Sequence, residues 1–133
     1  MHTRTAACSC GQLRAVCSGT AGRISMCHCL SCQRRTGAPF GAQSRFQREQ
    51  VHIEGRSTTY KRVADSGNNV SFHFCPECGS TVYWELSGYP GFISVALGMF
   101  ADPTYPAPVH SVYESMRHPW TDRIADCPMG HMD

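Results

Sequence analysis

Short hydrophobic segments alternate with turn residues along the whole chain, and this pattern predicts an all-β fold. The segments are mostly β-branched or aromatic and recur at roughly the 8 to 12 residue spacing that is typical of a sandwich or barrel. Glycine, proline, serine and asparagine separate them. The predicted strands are 13–17, 24–27, 40–46, 51–53, 58–62, 70–74, 81–85, 92–97 and 109–113.

Helical periodicity is weak throughout the chain. Residues 33–37 and 113–120 can each form a short helical piece, and Pro119 limits the second. The 133 residues contain no internal repeat and no linker, and this length suits a single folded unit. We predict one domain over residues 1–133, with its core at about 5–125 and an exposed tail at 126–133.

Cysteine clustering is the strongest chemical signal in the sequence. Seven of the nine cysteines fall into three groups. The amino terminus has no apolar stretch typical of a signal peptide, and no run approaches a membrane span, so we expect a soluble cytoplasmic protein. Thiols stay reduced in that compartment, which favours metal binding over disulfides. The groups are Cys8 with Cys10, Cys27 with Cys29 and Cys32, and Cys75 with Cys78.

Two of these groups are pairs that together suit one closed zinc site. Cys8 and Cys10 would face the same side of an extended strand, and a turn would bring Cys75 and Cys78 together. A redox pair or two buried thiols are the alternatives for the second pair, but a thioredoxin-like pair belongs near a βαβ pattern, which this sequence lacks. Joining the pairs gives the four ligands of a structural zinc.

The third group supplies three ligands. Cys27 and Cys29 would face one side of a strand, and a turn would bring Cys32 towards them, while His28 would point away. Three protein ligands are typical of a catalytic zinc with one open position. Three thiolates already outweigh the charge of the ion, so we expect a thiol rather than water as the activated group. An activated thiol could attack a small electrophile such as an aldehyde.

Other interpretations of the three-cysteine group remain open at this point. A second structural zinc, completed by a histidine or another cysteine, is one alternative, and an iron–sulfur cluster is another. Cys17 and Cys127 lie outside the clusters, and either could complete the group. We expect both to be small buried hydrophobic residues, as free cysteines usually are.

Charge excludes one class of partner and suggests a ligand. The formal net charge is +2 and the arginines are scattered, so the clustered basic patch of a nucleic-acid-binding protein is absent from the sequence. Arg34 and Arg35 lie two and three residues after Cys32 and could bind a carboxylate beside the metal, because the guanidinium group pairs with carboxylates in a bidentate manner. A solvated surface position is the alternative for both.

The cysteine motifs resemble those of the glutathione-dependent formaldehyde-activating enzyme family over nearly the whole chain. The order and spacing of all seven clustered cysteines agree with the family. The resemblance implies an all-β, Mss4-like fold that contains a zinc ribbon. The residues that carry it are Cys8-Ser-Cys10-Gly11, the segment from Cys27 to Phe40, Phe74-Cys75-Pro-Glu-Cys78-Gly79-Ser80 and the segment from Pro108 to Trp120.

The resemblance also implies a function. It suggests a carbon–sulfur lyase that joins the thiol of glutathione, as co-substrate, to formaldehyde and gives S-hydroxymethylglutathione. It implies two zinc ions per chain and small-molecule thiol and aldehyde partners. The charge pattern and the lack of a long apolar run predict no nucleic-acid and no membrane partner, and the sequence is compatible with an oligomer. A non-enzymatic zinc-binding interaction module is the alternative. The implied ligands are Cys8, Cys10, Cys75 and Cys78 for a structural zinc, and Cys27, Cys29 and Cys32 for a catalytic zinc.

Overall fold

A computed structural model describes residues 2–133 and confirms the predicted all-β fold. Met1, which the predicted domain includes, lies outside the described residues. The strands are β1 (Thr3–Ala7), β2 (Arg14–Ser18), β3 (Arg23–Cys27), β4 (Gly41–Gln47), β5 (Val51–Glu54), β6 (Thr58–Val63), β7 (Asn69–Phe74), β8 (Thr81–Leu86), β9 (Phe92–Ala96) and β10 (His110–Val112). The helix α1 spans Leu30–Thr36, and 3₁₀ turns lie at Arg48–Gln50, Leu97–Phe100, Glu114–Met116 and Thr121–Asp126.

The hydrophobic pattern predicted every strand except β1. This strand lies at the edge of its sheet and its sequence is mostly polar or small, with only Ala6 fully buried, so it lacks the apolar signal that marks the others. The helix begins three residues earlier than predicted, because Cys29 caps its amino terminus. Residues 128–133 are exposed and form no helix or strand, while the extent of the domain stays a prediction.

The strands form two sheets. The smaller has the order β1-β2-β5 and is antiparallel, and the larger has the order β10-β3-β4-β9-β8-β7-β6. Within the larger sheet, β10 and β3 are parallel and the other pairs are antiparallel. Among residues 2–133, no helix combines the length and apolar character that crossing a membrane requires.

The main hydrophobic core lies between the two sheets. The smaller sheet contributes Ala6 and Ala15, with Leu13 from the turn between β1 and β2, and the larger sheet contributes Phe46 and Val95. Cys17 is 1% exposed in this core, and burial raises the pKa of its thiol to about 12, as expected for a free cysteine that packs as a small hydrophobic residue.

The opposite face of the larger sheet is built differently. Side chains alternate between the two faces of a strand, so Phe46 on β4 faces the core while Arg45 faces away from it. A second, smaller cluster of Val70, Phe72, Trp84 and Ala96 packs on this outer face. The face also lines a cavity, so the sheet separates the main core from that cavity.

Replacing Phe46 with alanine tests the position of the core. Phe46 is 2% exposed and packs near Phe100, so Phe46→Ala should lower the free energy of unfolding by about 3–5 kcal/mol through lost burial and a residual cavity. Phe92→Ala provides a matched control, because Phe92 is 36% exposed and should lose about 1 kcal/mol. Urea denaturation measures both, and equal losses would contradict the assignment of the core.

Candidate metal centres and the adjoining cavity

Four cysteine sulfurs meet where the ends of the two sheets come together. Cys8 and Cys10 follow β1, and Cys75 and Cys78 lie in the turn between β7 and β8. All four Sγ atoms lie within 4.8 Å of one another. The Sγ atoms of Cys8 and Cys10 are 3.6 Å apart, and those of Cys10 and Cys75 are 3.7 Å apart. A tetrahedral zinc–thiolate site with bonds of about 2.3 Å needs sulfur separations of about 3.8 Å, so this quartet fits a metal ion.

Turns, rather than extended strands, create the quartet. The prediction that Cys8 and Cys10 lie on a strand was wrong, because β1 ends at Ala7 and both residues belong to the following turn. Gly11 and Gly79 close the two turns with φ angles of 85° and 79°, in the left-handed region that favours glycine. Each glycine N–H donates to the carbonyl oxygen of the first cysteine of its pair, at 3.0 Å and 2.8 Å respectively.

Backbone amides stabilise a thiolate in the turn that carries Cys75 and Cys78. The N–H groups of Ser80 and Cys10 donate to the sulfur of Cys78 and lower the pKa of its thiol to about 5. Metal binding requires the deprotonated form of cysteine. The quartet therefore has both the spacing and the hydrogen-bond donors that a metal-binding thiolate site needs.

The other three clustered cysteines meet at the junction of β3 and α1. Cys27 ends β3, Cys29 is the N-cap of α1, and Cys32 lies in its first turn. The backbone N–H of Cys32 donates to the sulfur of Cys29 at 3.3 Å, which satisfies one free amide of the helix end. The three Sγ atoms lie within 4.8 Å of one another. The three sulfurs are therefore held by the end of a strand and the start of a helix, and not by the strand and turn that the sequence predicted.

The three-cysteine group gains no further ligand from residues 2–133. No other histidine, cysteine, aspartate or glutamate of this part of the chain belongs to it. His28 is only 2% exposed and its Nε2 is 3.0 Å from Oγ of Ser111, so it lies outside the group, as its position between two ligands predicts. Cys17 lies in the core, and Cys127 is half-buried with its sulfur 3.6 Å from the carbonyl oxygen of Arg123. The expectation that Cys127 is buried was wrong.

Arg35 lies against the three-cysteine group and supplies positive charge. A hydrogen bond from Cys27 and the nearby Arg35 guanidinium lower the pKa of Cys32 to about 5. Arg35 also stacks on Trp84, with Cζ 4.3 Å from the ring centroid. A Cβ atom at Gly41 would lie 2.8 Å from Nη2 of Arg35, so the glycine leaves room for this side chain beside the sulfurs.

The two predicted carboxylate-binding arginines occupy different environments. Arg34 is exposed and lines surface grooves beside α1, away from the three sulfurs. Arg35 is half-buried, and its Nε and Nη2 atoms are buried without a hydrogen-bond partner. The structure brings only Arg35 next to the cysteines, and the role of both residues as ligand contacts stays a prediction.

A cavity of about 220 Å³ opens beside the three cysteines. Its lining carries three arginines that sequence reasoning did not select, Arg23, Arg45 and Arg62, and Asp65 is the one acidic residue that the described part of the chain adds to it. The Nε atoms of Arg23 and Arg62 and the Oε1 atom of Gln43 are buried without a hydrogen-bond partner. The aromatic residues of the lining are Phe72, Trp84, Tyr89 and Tyr113.

Strand alternation is the signal that could have identified two of these arginines. Arg23 lies four residues before Cys27 on β3, and residues an even number apart share a face of a strand. Arg45 lies directly opposite Arg23 on β4. The pairing of β3 with β4 is not visible in the sequence, so the cluster of positive charge could not be assembled without the structure.

The carboxyl-terminal segment closes one side of the cavity. Tyr113 lines it and has a φ of 55°, a left-handed conformation that is strained for a bulky residue. Gln33 on α1 holds the segment in place: its amide nitrogen donates to the carbonyl oxygen of Met116 at 3.0 Å, and its Oε1 is 2.9 Å from Nε2 of His118. The helix that carries Cys32 therefore also fixes the residues opposite it.

Comparison with known proteins identifies the family. A solved structure of a Rhodobacter sphaeroides protein from structural genomics is similar, with a TM-score of 0.62 and 18% identity, and the match covers 80% of this chain and 98% of that one. No curated protein matches. The sequence model described as "Glutathione-dependent formaldehyde-activating enzyme" matches residues 3–116. These findings confirm the resemblance and the Mss4-like fold, and the two cysteine groups are consistent with zinc binding. The chain belongs to the glutathione-dependent formaldehyde-activating enzyme family.

Proposed function

We propose that this protein is a zinc-dependent carbon–sulfur lyase that adds the thiol of glutathione, or of a similar compound, to formaldehyde or another small aldehyde. Family membership supports a function of this type. The observation that carries the proposal is the position of Cys27, Cys29 and Cys32 in the wall of an arginine-lined cavity, with no further ligand from residues 2–133. Such a site resembles a catalytic centre more than a structural one.

The two cysteine groups would have different roles. Cys8, Cys10, Cys75 and Cys78 would hold a structural zinc with four protein ligands, and the other three cysteines would hold a catalytic zinc. When bound there, zinc would supply the Lewis acidity that lowers the pKa of an incoming thiol. Cys8 and Cys75 belong to the main core, which suits a purely structural role for the quartet.

The side chains of the cavity would bind the substrate and exclude water. Arg23, Arg45 and Arg62 offer positive charge to the carboxylates of a thiol such as glutathione. Phe72 and Trp84 form an apolar wall, which strengthens charge interactions by excluding solvent. The limited volume favours a small aldehyde.

The proposed reaction is an addition that needs no oxidant or reductant. A new carbon–sulfur bond forms between the thiol sulfur and the aldehyde carbon, and the carbonyl π bond breaks. The proton that leaves the thiol is balanced by the proton that the aldehyde oxygen gains as it becomes a hydroxyl group. The positive charge of Arg35 beside Cys32 would offset the negative charge that three thiolates bring to the site.

Metal content provides the first test of this assignment. The two cysteine groups predict two zinc ions per chain for the purified protein and about one for Cys32→Ser, because removal of one of three ligands weakens only the smaller site. Elemental analysis of the purified proteins measures this. Cys127→Ser is the matched control, since Cys127 lies outside both groups, and it should retain two. Equal zinc content in Cys32→Ser and Cys127→Ser would contradict the assignment.

Kinetics provide the test of catalysis. We expect the protein to accelerate formation of S-hydroxymethylglutathione from glutathione and formaldehyde above the spontaneous rate, and Cys32→Ser to reduce that acceleration at least about a hundredfold. Exchange NMR with ¹³C-labelled formaldehyde follows the adduct directly, and Cys127→Ser should match the parent protein. If the parent protein gives no acceleration, the enzyme proposal fails and a non-enzymatic zinc-binding module becomes the better interpretation.

A further inference from the structure

One wall of the cavity is a ladder of three residue pairs between β3 and β4. The chemical character of the pairs changes along the ladder, from sulfur at one end, through a hydroxyl and an amide, to positive charge at the other. Every member except Gly41 belongs to the cavity lining. The pairs are Cys27 with Gly41, Ser25 with Gln43, and Arg23 with Arg45.

The ladder has a defined length. Arg23 and Cys27 are four residues apart on the same strand, which corresponds to about 13 Å between their Cα atoms. Allowing for the reach of an arginine side chain, a ligand that contacts both ends must hold its anionic group well away from its sulfur. Free cysteine keeps its carboxylate close to its sulfur, whereas a peptide thiol can hold a carboxylate at a distance.

The charged end of the ladder is only partly stabilised by the protein itself, through Arg45, whose Cζ lies 4.5 Å from the ring centroid of Tyr89. Arg23 and Arg45 lie directly opposite each other, and like charges in that position destabilise a sheet. Burial and the neighbouring Arg23 lower the pKa of Arg45. Neither guanidinium forms an ion pair within residues 2–133, and Nε of Arg23 is buried without a partner. An anion placed between them would remove this repulsion.

The middle of the ladder also lacks a partner. Oε1 of Gln43 is buried and accepts no hydrogen bond, and Ser25 beside it is 4% exposed. A buried acceptor of this kind is costly unless a donor satisfies it. The N–H group of an amide in the ligand is a suitable donor, because it would lie between the sulfur and the carboxylate of a peptide thiol.

We propose that Arg23 and Arg45 form the carboxylate site of the substrate thiol, and that their distance from Cys27 selects amide-containing thiols over short ones. This inference rests on the proposed function. Arg23 and Arg45, which pair across β3 and β4, would set the length of the thiol that the cavity accepts. It also assigns the unsatisfied oxygen of Gln43 to the ligand's amide.

Two probes separate the carboxylate end from the sulfur end. Ophthalmic acid, in which a methyl group replaces the thiol of glutathione, tests the arginines, and cysteamine, which has a thiol but no carboxylate, tests the cysteines. In the zinc-loaded protein, Arg23→Gln and Arg45→Gln should each weaken ophthalmic acid binding about tenfold through loss of a charge-assisted hydrogen bond, and should leave cysteamine binding unchanged. NMR titration or isothermal titration calorimetry measures both affinities.

Arg123→Gln is the matched control, because Arg123 is exposed and lies outside the cavity lining. It should leave both affinities unchanged. Unchanged ophthalmic acid binding in both Arg23→Gln and Arg45→Gln would overturn this inference. A parent protein that does not bind ophthalmic acid would overturn it as well. Failure of cysteamine to bind the parent protein would instead count against the proposed function, so the two failures are distinguishable.

Thermal stability provides an independent test. Because Arg23 and Arg45 repel each other and Arg23, unlike Arg45, stacks on no aromatic ring of residues 2–133, Arg23→Gln should raise Tm by about 2 °C without ligand. Ophthalmic acid should raise Tm more in the parent protein than in either variant, because ligand binding stabilises the folded state. A lower Tm of ligand-free Arg23→Gln would show that Arg23 stabilises the fold, which contradicts the proposal.

Discussion

The alternation of side chains on the paired strands β3 and β4 is the constraint on which both the core and the site depend. Successive side chains of a strand point to opposite faces of the sheet, so one strand can contribute side chains to both the core and the cavity. Phe46 and Ser44 face the space between the sheets, while Arg45 and Gln43 face the cavity. A shift of register by one residue would exchange these faces and would bury the arginines in the main core. The pairing that forms the core therefore also forms the cavity.

Local sequence signals predicted the elements and the cysteine groups but not the geometry that joins them. Nine strands were visible because their apolar residues recur between turn residues, and the cysteine spacing identified both sets of sulfurs. Cys8 and Cys10 were placed on a strand because their spacing suits one, whereas Gly11 directs them into a turn. Arg23 and Arg45 were not selected, because strands 23–27 and 41–47 become neighbours only through the register of the folded sheet.

Arg34 and Arg35 show why adjacency in sequence is a poor guide to function on a helix. Successive residues of a helix differ in direction by about 100°, so two neighbouring arginines need not share an environment. Arg34 points towards solvent, while Arg35 enters the space that Gly41 leaves open and stacks on Trp84. Proximity to Cys32 along the chain predicted a role for the pair, but only tertiary packing distinguishes its members.

The unfavourable features of the cavity are best understood together. The opposed Arg23 and Arg45, the unpartnered buried atoms of Arg23, Arg62 and Gln43, and the strained Tyr113 each cost stability, and these residues all line the cavity. The opposite face of the sheet is packed with apolar residues and adjoins the quartet of cysteines, so it can support these costs. A fold that places its stability on one face of a sheet can keep the other face ready for a charged ligand.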